Sequence, residues 1–286
     1  MEGLTFRQIV RKLEAYWSKR GCTIVEPLDL EVGAGTFHPI SFFNSLNNKR
    51  SSFAFIQACR RPKDGRYAKN PNRWQKYYQY QVIIKPAPEK IRTIYLKSLS
   101  SIGISVDEND IKFVEDNWES PTLGASGFGW EVWLNGLEIT QFTYFQQIGG
   151  INCPVIPVEI TYGLERIATF IQGVNDIKDI WWDNNLTYGD LNLVNEIEFS
   201  KYNFELSSPE FLANLFNFYL NESKRLIELE NLFPAYEYLI KSSHIFNTLE
   251  ATEKLSVIER TNYIQQIRAV AVNCAQKYVV PAGKCK

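Results

Sequence analysis

Histidine is scarce in this chain of 286 residues, which contains only His38 and His244. The five cysteines are an odd number, are widely scattered and form no Cys-X-X-Cys pair. These absences argue against a structural zinc site and leave no obvious histidine or cysteine base for catalysis. We therefore expect reduced thiols, as in a cytoplasmic protein.

Long hydrophobic runs are also missing. No apolar stretch approaches the ~18 residues that a membrane-spanning helix needs. The first residues carry a charge at Glu2 followed by an amphipathic pattern, which does not resemble a signal peptide. We therefore expect no membrane contact. With 45% hydrophobic and 14% aromatic residues, the composition is typical of a packed globular protein.

Charge is unevenly distributed, although the formal net charge is only −1. Residues 57–90 contain nine Lys or Arg and two acids, whereas residues 107–138 contain eight acids and one Lys. A nucleic-acid-binding protein with a uniformly basic surface would not show this pattern. A basic segment followed by an acidic one suits a site that holds a polyanion together with its metal ions.

Hydrophobic periodicity predicts an α+β protein. Thr5 and Gln8 form a possible capping box for a first helix, and Gly21 is a plausible end for it. Helices are also predicted near residues 91–102 and 165–172, and extended segments at residues 22–32, 52–61, 77–86, 111–119, 129–147 and 157–164. No internal repeat or low-complexity segment interrupts this pattern.

These segments predict two regions. Residues 1–190 are expected to form a domain built on an antiparallel sheet flanked by helices. Residues 191–286 are expected to form a C-terminal helical region that ends in a frayed tail, PAGKCK. Within the first region, the charged connection PKDGRYAKNPNRWQ separates two strands, and a connection this long is usually functional.

Arginines stand at the ends of several predicted elements. Arg60 and Arg61 end a strand, Arg73 lies in the charged connection, and Arg166 lies at the start of a helix. A helix start favours anions, so Arg166 is either a solvated surface residue or a group that faces a polyphosphate. The guanidinium fork suits phosphate, and a carboxylate such as Glu138 nearby suits magnesium.

Three long motifs resemble one family. They are DGRYAKNPNRWQKYYQYQVIIKP, EDNWESPTLGASGFGWEVWLNGLEITQFTYFQQIGG and EITYGLERIA, in this order along the chain. They are similar to class II aminoacyl-tRNA synthetases, and more narrowly to the alpha subunit of the bacterial α2β2 glycyl-tRNA synthetase. The likeness runs from about residue 5 to about residue 278.

The resemblance implies a fold, an activity and partners. The fold would be a class II synthetase-like antiparallel sheet flanked by helices. The chain would activate glycine with ATP and Mg²⁺ and, with a beta subunit, transfer glycine to tRNA(Gly). Residues 21–27 would contribute to a homodimer of alpha chains within an α2β2 assembly.

The resemblance also implies roles for individual residues. Arg60 or Arg61 would clamp the ATP α-phosphate, with Arg60 preferred, and Arg60, Glu138 and Arg166 would be the catalytic residues. Magnesium would be held by Glu138 and Gln141, unless Glu138 only forms a structural ion pair. The residues expected to bind ATP are Arg60, Arg61, Arg73, Tyr77, Gln79, Glu138, Gln141 and Arg166.

A glycine pocket must offer acceptors for an ammonium group and enough bulk to exclude any side chain. The candidates are Gln79, Gln81, Trp118, Glu131, Trp133, Glu159 and Thr161. Each aromatic among them, like Tyr77, could instead pack in the core. Thr36, in the loop GAGTFHP, could cover the pocket. Glu165 is expected to orient its neighbour Arg166 and not to act catalytically.

Two other functions remain open at this level. A synthetase-like regulatory protein would keep the fold and bind a small molecule without catalysis. A pure RNA-binding module is disfavoured because the chain is nearly neutral and has no basic stripe. Glycine-dependent exchange of pyrophosphate into ATP separates the enzyme from both.

Overall fold

A mainly antiparallel sheet of eight strands forms the centre of the protein in a computed structural model, which describes residues 3–279. The strands lie in the order β1-β2-β3-β8-β6-β5-β4, with β7 paired to β6. Only the β1–β2 pairing is parallel. Their bounds are β1 Thr23–Ile24, β2 Ser51–Arg60, β3 Lys76–Lys85, β4 Ile111–Ser120, β5 Ala125–Leu134, β6 Leu137–Ile148, β7 Ile151–Asn152 and β8 Val158–Gly163.

Most of the predicted extended segments are strands. The first is mostly not: Thr23–Ile24 is a short strand, Val32 forms an isolated parallel bridge with Cys59, and the chain between them is a loop through Pro27, which cannot donate to a ladder. The stretch 129–147 spans parts of two strands, β5 and β6, joined by a tight turn. Asn135 and Gly136 form this turn with φ angles of 48° and 85°, as a two-residue hairpin requires.

Eight α-helices surround the sheet within the described residues. They are α1 Phe6–Ser18, α2 Pro39–Ser45, α3 Ile91–Ser101, α4 Leu164–Gln172, α5 Tyr188–Lys201, α6 Pro209–Glu228, α7 Leu232–Ala251 and α8 Val257–Val279. The capping box of Thr5 and Gln8 begins α1 as predicted. The helix ends at a cap on Lys19, two residues before Gly21.

The proposed boundary at residue 190 lies inside a helix. Thr187 and Asp190 form a capping box for α5, so a continuous helix joins the two predicted regions. A single turn of π-helix, Tyr202–Leu206, separates α5 from α6. The division into two regions stays a prediction, and the tail PAGKCK lies outside the described residues.

The two faces of the sheet bury separate hydrophobic clusters. Helices α1, α3 and α4 cover one face, where Tyr80 and Val82 are buried. Helices α2, α6, α7 and α8 pack against the other face, which carries Ile83 and Phe145. Alternate residues of a strand face opposite sides, so Gln79 and Gln81 share the second face with Ile83. Part of this second face stays open.

Four of the cysteines, Cys22, Cys59, Cys153 and Cys274, are buried free thiols. Burial raises the pKa of Cys22 to about 11, which keeps that thiol protonated at neutral pH. Within residues 3–279, no helix has both the length and the apolar character needed to span a bilayer.

Candidate active site

A cavity of about 570 Å³ occupies the open part of the second sheet face. Its walls are the sheet, the loop at residues 33–37 and helix α7. The predicted site residues that line it are Arg61, Arg73, Tyr77, Gln79, Trp118, Glu138, Gln141, Glu159, Thr161 and Arg166. Four predicted residues are not part of its lining: Arg60, Gln81, Glu131 and Trp133.

Arg61, and not Arg60, faces the cavity. Consecutive residues of extended backbone point in opposite directions. The side chain of Arg60 therefore turns away, lying 3.7 Å from the Glu31 carboxylate and 5.1 Å from the centre of the Phe199 ring. The Nε atom of Arg61 donates to the carbonyl of Gly33 over 3.0 Å. The geometry thus favours Arg61 over the preferred Arg60, and the identity of the phosphate clamp stays a prediction.

The strand that follows the charged connection divides its side chains between site and core. Tyr77 and Gln79 line the cavity, and the guanidinium carbon of Arg61 lies 5.2 Å from the Tyr77 ring centre. Tyr78 and Tyr80 point to the other face, where they pack in the first hydrophobic cluster. Core packing therefore applies to those two tyrosines and not to Tyr77.

A β-bulge places Glu138 at the cavity. Thr140 pairs with Val132 and Glu138 pairs with Trp133, so Ile139 is the extra residue on β6. Without it, Glu138 would alternate onto the same face as the fully buried Thr140. Bulges commonly re-aim a side chain beside a functional site.

Arg166 at the start of α4 is paired with Glu138. Its Nη1 atom donates to the Glu138 carboxylate over 2.9 Å and to the Glu138 carbonyl over 2.8 Å. Both side chains remain one-third exposed at the cavity. The positive end of the helix dipole makes this position unfavourable for a cation. The negative charge of the Glu138 carboxylate offsets that unfavourable interaction. Glu138 therefore does form the ion pair that was the alternative to a metal-binding role. The guanidinium of Arg166 remains open to a ligand.

Glu165, beside Arg166, is held rigidly. It is buried and accepts hydrogen bonds from the backbone nitrogen of Tyr78 over 2.8 Å and from the Tyr188 hydroxyl over 2.9 Å. Burial raises the pKa of Glu165 to about 7, against the opposing effect of these bonds. Its contacts fix the first turn of α4, which is consistent with an orienting role.

The predicted metal ligands form no preassembled site. Gln141 donates through Nε2 to Asp116 over 3.0 Å, and Glu138 is engaged by Arg166. No group of three or more histidine, cysteine, aspartate or glutamate side chains within residues 3–279 could hold a metal ion. The carboxylates that line the cavity among these residues form no such group, which suits an ion that arrives with phosphates.

The other end of the cavity contains a buried carboxyl. Glu159 is 2% exposed, and its Oε2 atom accepts a 2.6 Å hydrogen bond from the Thr36 hydroxyl. Its Oε1 atom has no hydrogen-bond partner among the described residues. Burial raises the pKa of Glu159 to about 7, which the bond from Thr36 and the neighbouring Gln81 side chain partly oppose. A buried acceptor without a partner is costly, which points to a ligand.

The loop at residues 33–37 is fastened over this end. Gly35 donates its backbone nitrogen to Gln79 over 2.9 Å, and Tyr77 donates its hydroxyl to the Gly33 carbonyl over 3.0 Å. A Cβ atom on Gly35 would lie 2.1 Å from the Gln81 side chain. Gln81 is therefore buried beneath the loop and does not line the cavity, although its amide also has no partner among the described residues.

Glu131 and Trp133 were expected in the glycine pocket but lie outside the cavity. Both are on β5, and neither lines the cavity, whereas Trp118 on the neighbouring strand β4 does. The indole nitrogen of Trp133 donates to Glu131 over 3.0 Å, so the two side chains pair with each other.

Helix α7 provides a wall that the sequence prediction missed. Ser243, Asn247 and Glu250 line the cavity from the C-terminal helical region. Their spacing of four and three residues puts them on one helical face. The sequence signal that could have identified them is this polar face, because the helix otherwise contains many buried apolar residues.

Comparisons with known proteins identify the family. Residues 6–282 match the family model described as glycyl-tRNA synthetase alpha subunit. The glycine–tRNA ligase alpha subunit of Buchnera aphidicola subsp. Baizongia pistaciae (strain Bp) is 55% identical over 281 residues, covering 96% of this chain and 94% of the relative. Two pyrrolysyl-tRNA synthetase structures from Desulfitobacterium hafniense are similar at 13% identity, with TM-scores of 0.44 and 0.46. They cover 64% of this chain and 72% and 75% of their own.

The family match defines an aminoacyl-tRNA synthetase, which is a ligase. Within that class, the chain belongs to the family of glycyl-tRNA synthetase alpha subunits, which are glycine–tRNA ligases. The resemblance drawn from the three motifs is thereby confirmed. So is the predicted α+β fold, an antiparallel sheet flanked by helices with further helices at the C-terminus.

Proposed function

We propose that this chain forms glycyl-adenylate from glycine and ATP in the cavity, and that with a beta subunit it transfers glycine to tRNA(Gly). The observation that carries the proposal is the unpartnered Oε1 atom of buried Glu159. It lies in the same cavity as Arg61, Arg73 and Arg166. An acceptor suited to an ammonium group thus shares the cavity with cations suited to a polyphosphate.

Glycine would bind at the Glu159 end. Its ammonium group would donate to Glu159, and Thr36 would hold that carboxylate in place through the other oxygen. Gln79 and Thr161 supply further polar atoms beside it. Trp118 and the fastened loop would limit the space for a side chain, so larger amino acids would be rejected by steric overlap.

ATP would bind at the arginine end. Arg61 would contact the α-phosphate, because it lies on the cavity wall near Tyr77 and Gln79. Arg166 would contact the adenine and the γ-phosphate, and Arg73 would add charge from the β2–β3 loop. Tyr77 would support the adenine side of the site.

Magnesium would enter as part of the MgATP substrate. Mg²⁺ usually binds through one or two carboxylates together with substrate phosphates, so a preassembled cluster is not required. Glu138 and Gln141 supply oxygen atoms at the cavity and fit that donor set. The ion would offset charge on the leaving pyrophosphate, and Arg166 would share that task.

The activation step is a displacement at phosphorus. A glycine carboxylate oxygen forms a bond to the α-phosphorus, and the bond from that phosphorus to the bridging oxygen of pyrophosphate breaks. The electron pair leaves with pyrophosphate, and no side chain needs to form a covalent bond. The residues of this chain would act by holding both substrates in line and by neutralising charge. The terminal ribose hydroxyl of tRNA would then take the glycyl group from AMP.

The proposal extends to assembly and location. We infer a homodimer of alpha chains within an α2β2 enzyme that acts in the cytoplasm, as the family membership suggests. A regulatory protein without catalysis would need a cavity that lacks the arginine groups, and Arg61 and Arg166 both line this one.

Replacing Arg61 by alanine is expected to lower kcat/KM for ATP about tenfold to a hundredfold. Charge-assisted hydrogen bonds to phosphate contribute roughly 1.5–3 kcal/mol, and this variant removes them without touching the hydrophobic clusters. The measurement is glycine-dependent ATP–pyrophosphate exchange by the assembled enzyme. Arg60→Ala is the matched control, because its guanidinium points away from the cavity. A larger loss in the Arg60 variant would restore Arg60 as the phosphate clamp.

The pH dependence for glycine is a second expectation. Burial raises the pKa of Glu159 to about 7, so the carboxyl becomes protonated as the pH falls below that value and loses its charge for the ammonium. Hence kcat/KM for glycine should fall by about tenfold per pH unit below 7.

The ATP profile serves as the internal reference in the pH experiment. Arginine stays protonated throughout this range, so kcat/KM for ATP should decline less steeply than kcat/KM for glycine. Bound ammonium favours the ionised carboxyl, so the fall in kcat should begin at a lower pH. Parallel profiles for the two substrates would show that Glu159 does not set the glycine dependence.

A further inference from the structure

Helix α5 presents a buried carboxylate to the backbone of the β2–β3 loop. Glu196 is 1% exposed, and both of its oxygens accept from the backbone nitrogen of Gln75, over 2.9 and 3.0 Å. Glu196 forms no salt bridge within residues 3–279. It does not line the cavity. Burying a carboxylate that is bonded only to neutral donors costs free energy. Its use to hold a loop therefore indicates a specific role for this contact.

The contact continues to the proposed ATP site through one residue, Gln75. The carbonyl of Gln75 accepts the backbone nitrogen of Arg61 over 2.7 Å. The backbone nitrogen of Gln75 is therefore bonded to Glu196, and its backbone carbonyl is bonded to Arg61. The residues before Gln75 are Arg73 and Trp74, and both line the cavity. A shift of Gln75 would therefore move the backbone from which both arginines extend.

A second contact from the same helix face holds the other side of the loop. Ser200 is one turn after Glu196, so the two side chains lie on the same side of α5. The backbone nitrogen of Tyr67 donates to the Ser200 hydroxyl over 3.0 Å. A Cβ atom on Gly65 would lie 2.8 Å from that hydroxyl, so the loop backbone passes directly over the helix.

We propose that Glu196 and Ser200 form a clamp that fixes the β2–β3 loop in the arrangement that binds ATP. Glu196 is a positioning residue, because it acts on Arg61 and Arg73 through Gln75 and touches no substrate. The proposal rests on the assignment of ATP to the arginine end of the cavity. Burial raises the pKa of Glu196 to about 7, and the hydrogen bonds from backbone amides partly oppose that shift.

Glu196→Gln tests the clamp in the assembled enzyme. The variant keeps the shape of the side chain but removes its charge and replaces one of the two oxygens that accept from Gln75 with an NH2 group, which cannot accept. We expect KM for ATP to rise about tenfold, while KM for glycine changes less than about twofold. A general loss of stability would change both. Glu198→Gln, an exposed position on the same helix, is the matched control and should behave as the unmodified chain.

Hydrogen exchange gives a readout that does not depend on activity. In the protein without nucleotide, Glu196→Gln should speed exchange of the Gln75 amide, and Ser200→Ala should speed that of Tyr67. If Glu196→Gln does not fold, Ser200→Ala carries both the exchange and the KM measurements.

The outcomes separate the clamp from the assignment on which it depends. Unchanged exchange at both amides would overturn the clamp. Faster exchange at Gln75 with an unchanged KM for ATP would overturn its role in ATP binding. Absence of glycine-dependent ATP–pyrophosphate exchange in the unmodified enzyme would instead overturn the proposed function, and the amide measurements would still decide whether the clamp exists.

Discussion

Replacing Glu159 by glutamine is expected to lower kcat/KM for glycine on the order of a hundredfold, since losing one partner of a buried charge pair costs roughly 2–5 kcal/mol. The amide keeps the shape of the side chain and can still accept one hydrogen bond. It cannot supply the negative charge that compensates an ammonium group removed from water. Because Glu159 lies at the end of the cavity away from the arginines' proposed phosphate contacts, KM for ATP should change little.

The experiment compares both substrates in ATP–pyrophosphate exchange by the assembled enzyme. Glu115→Gln is a matched control, because Glu115 is an exposed glutamate on β4 of the same sheet. Thr36→Val is a graded variant: it removes the 2.6 Å bond to the Glu159 carboxylate but leaves the charge in place. We expect its effect to lie between those of the control and Glu159→Gln. An equal loss for glycine and ATP in Glu159→Gln would indicate that the residue supports the fold and not the glycine site.

Sequence reasoning located the elements of the site more reliably than the side chains within them. The strand ends, the charged loop and the start of α4 follow from periodicity and from Gly, Pro and Arg positions. The choice between Arg60 and Arg61 depends on which way the backbone turns as β2 ends, where Arg61 has φ −124° and ψ 87°. Two adjacent arginines carry no local signal that distinguishes them.

The lateral order of strands was a second source of error. In chain order β8 is the last strand, but in the sheet it lies between β3 and β6. This insertion pairs Thr161 with Gln81 on β3 and with Gln141 on β6, and it pairs Glu159 with Ile83 and Thr143 on the same two strands. It also leaves β5 two strands away from β8. Such pairing is a long-range property, so the composition of β5 could not indicate that Glu131 would lie outside the cavity.

For the C-terminal helices, the sequence pattern predicts the secondary structure, whereas tertiary packing decides which side chains are buried. Their helical periodicity is clear in the sequence. Phe216 and Tyr236 are fully buried, whereas Phe211 is 57% and Phe218 is 74% exposed. The sequence could indicate a surplus of aromatic residues but could not assign them to core or surface. Phe211 and Phe218 are seven residues apart on α6, so the two exposed rings lie on one side of that helix.

The largest expected effect concerns the charging of tRNA. The isolated chain should charge tRNA at least about a hundredfold more slowly than the chain with its partner. Binding of tRNA depends on neutralising many phosphates with lysine and arginine. Here nine basic residues against two acids are concentrated in residues 57–90, while the chain as a whole has a net charge of −1. Several of the basic residues line the cavity: Arg61, Lys63, Arg73 and Lys76.

Four of the nine basic residues in this segment thus line the cavity, and we expect tRNA contacts to come mainly from another chain. A beta subunit would supply them, and the exposed rings of Phe211 and Phe218 offer apolar surface on which such a chain could pack. We expect the isolated alpha chain to be a homodimer with negligible aminoacylation of tRNA(Gly). Adding the beta subunit should restore charging, and charging by the assembled enzyme should weaken as salt is raised, because added salt weakens the phosphate contacts.

The measurement is aminoacylation of tRNA(Gly) as a function of beta-subunit concentration, with sedimentation to record assembly. An unrelated basic protein at the same concentration is the control for non-specific charge. Phe211→Ser and Phe218→Ser, alone and together, test whether the exposed side of α6 contributes to assembly, and Phe216 must be left intact because it is in the core. Efficient charging by the isolated chain would contradict the requirement for a partner, since the charge distribution would then be sufficient for tRNA binding.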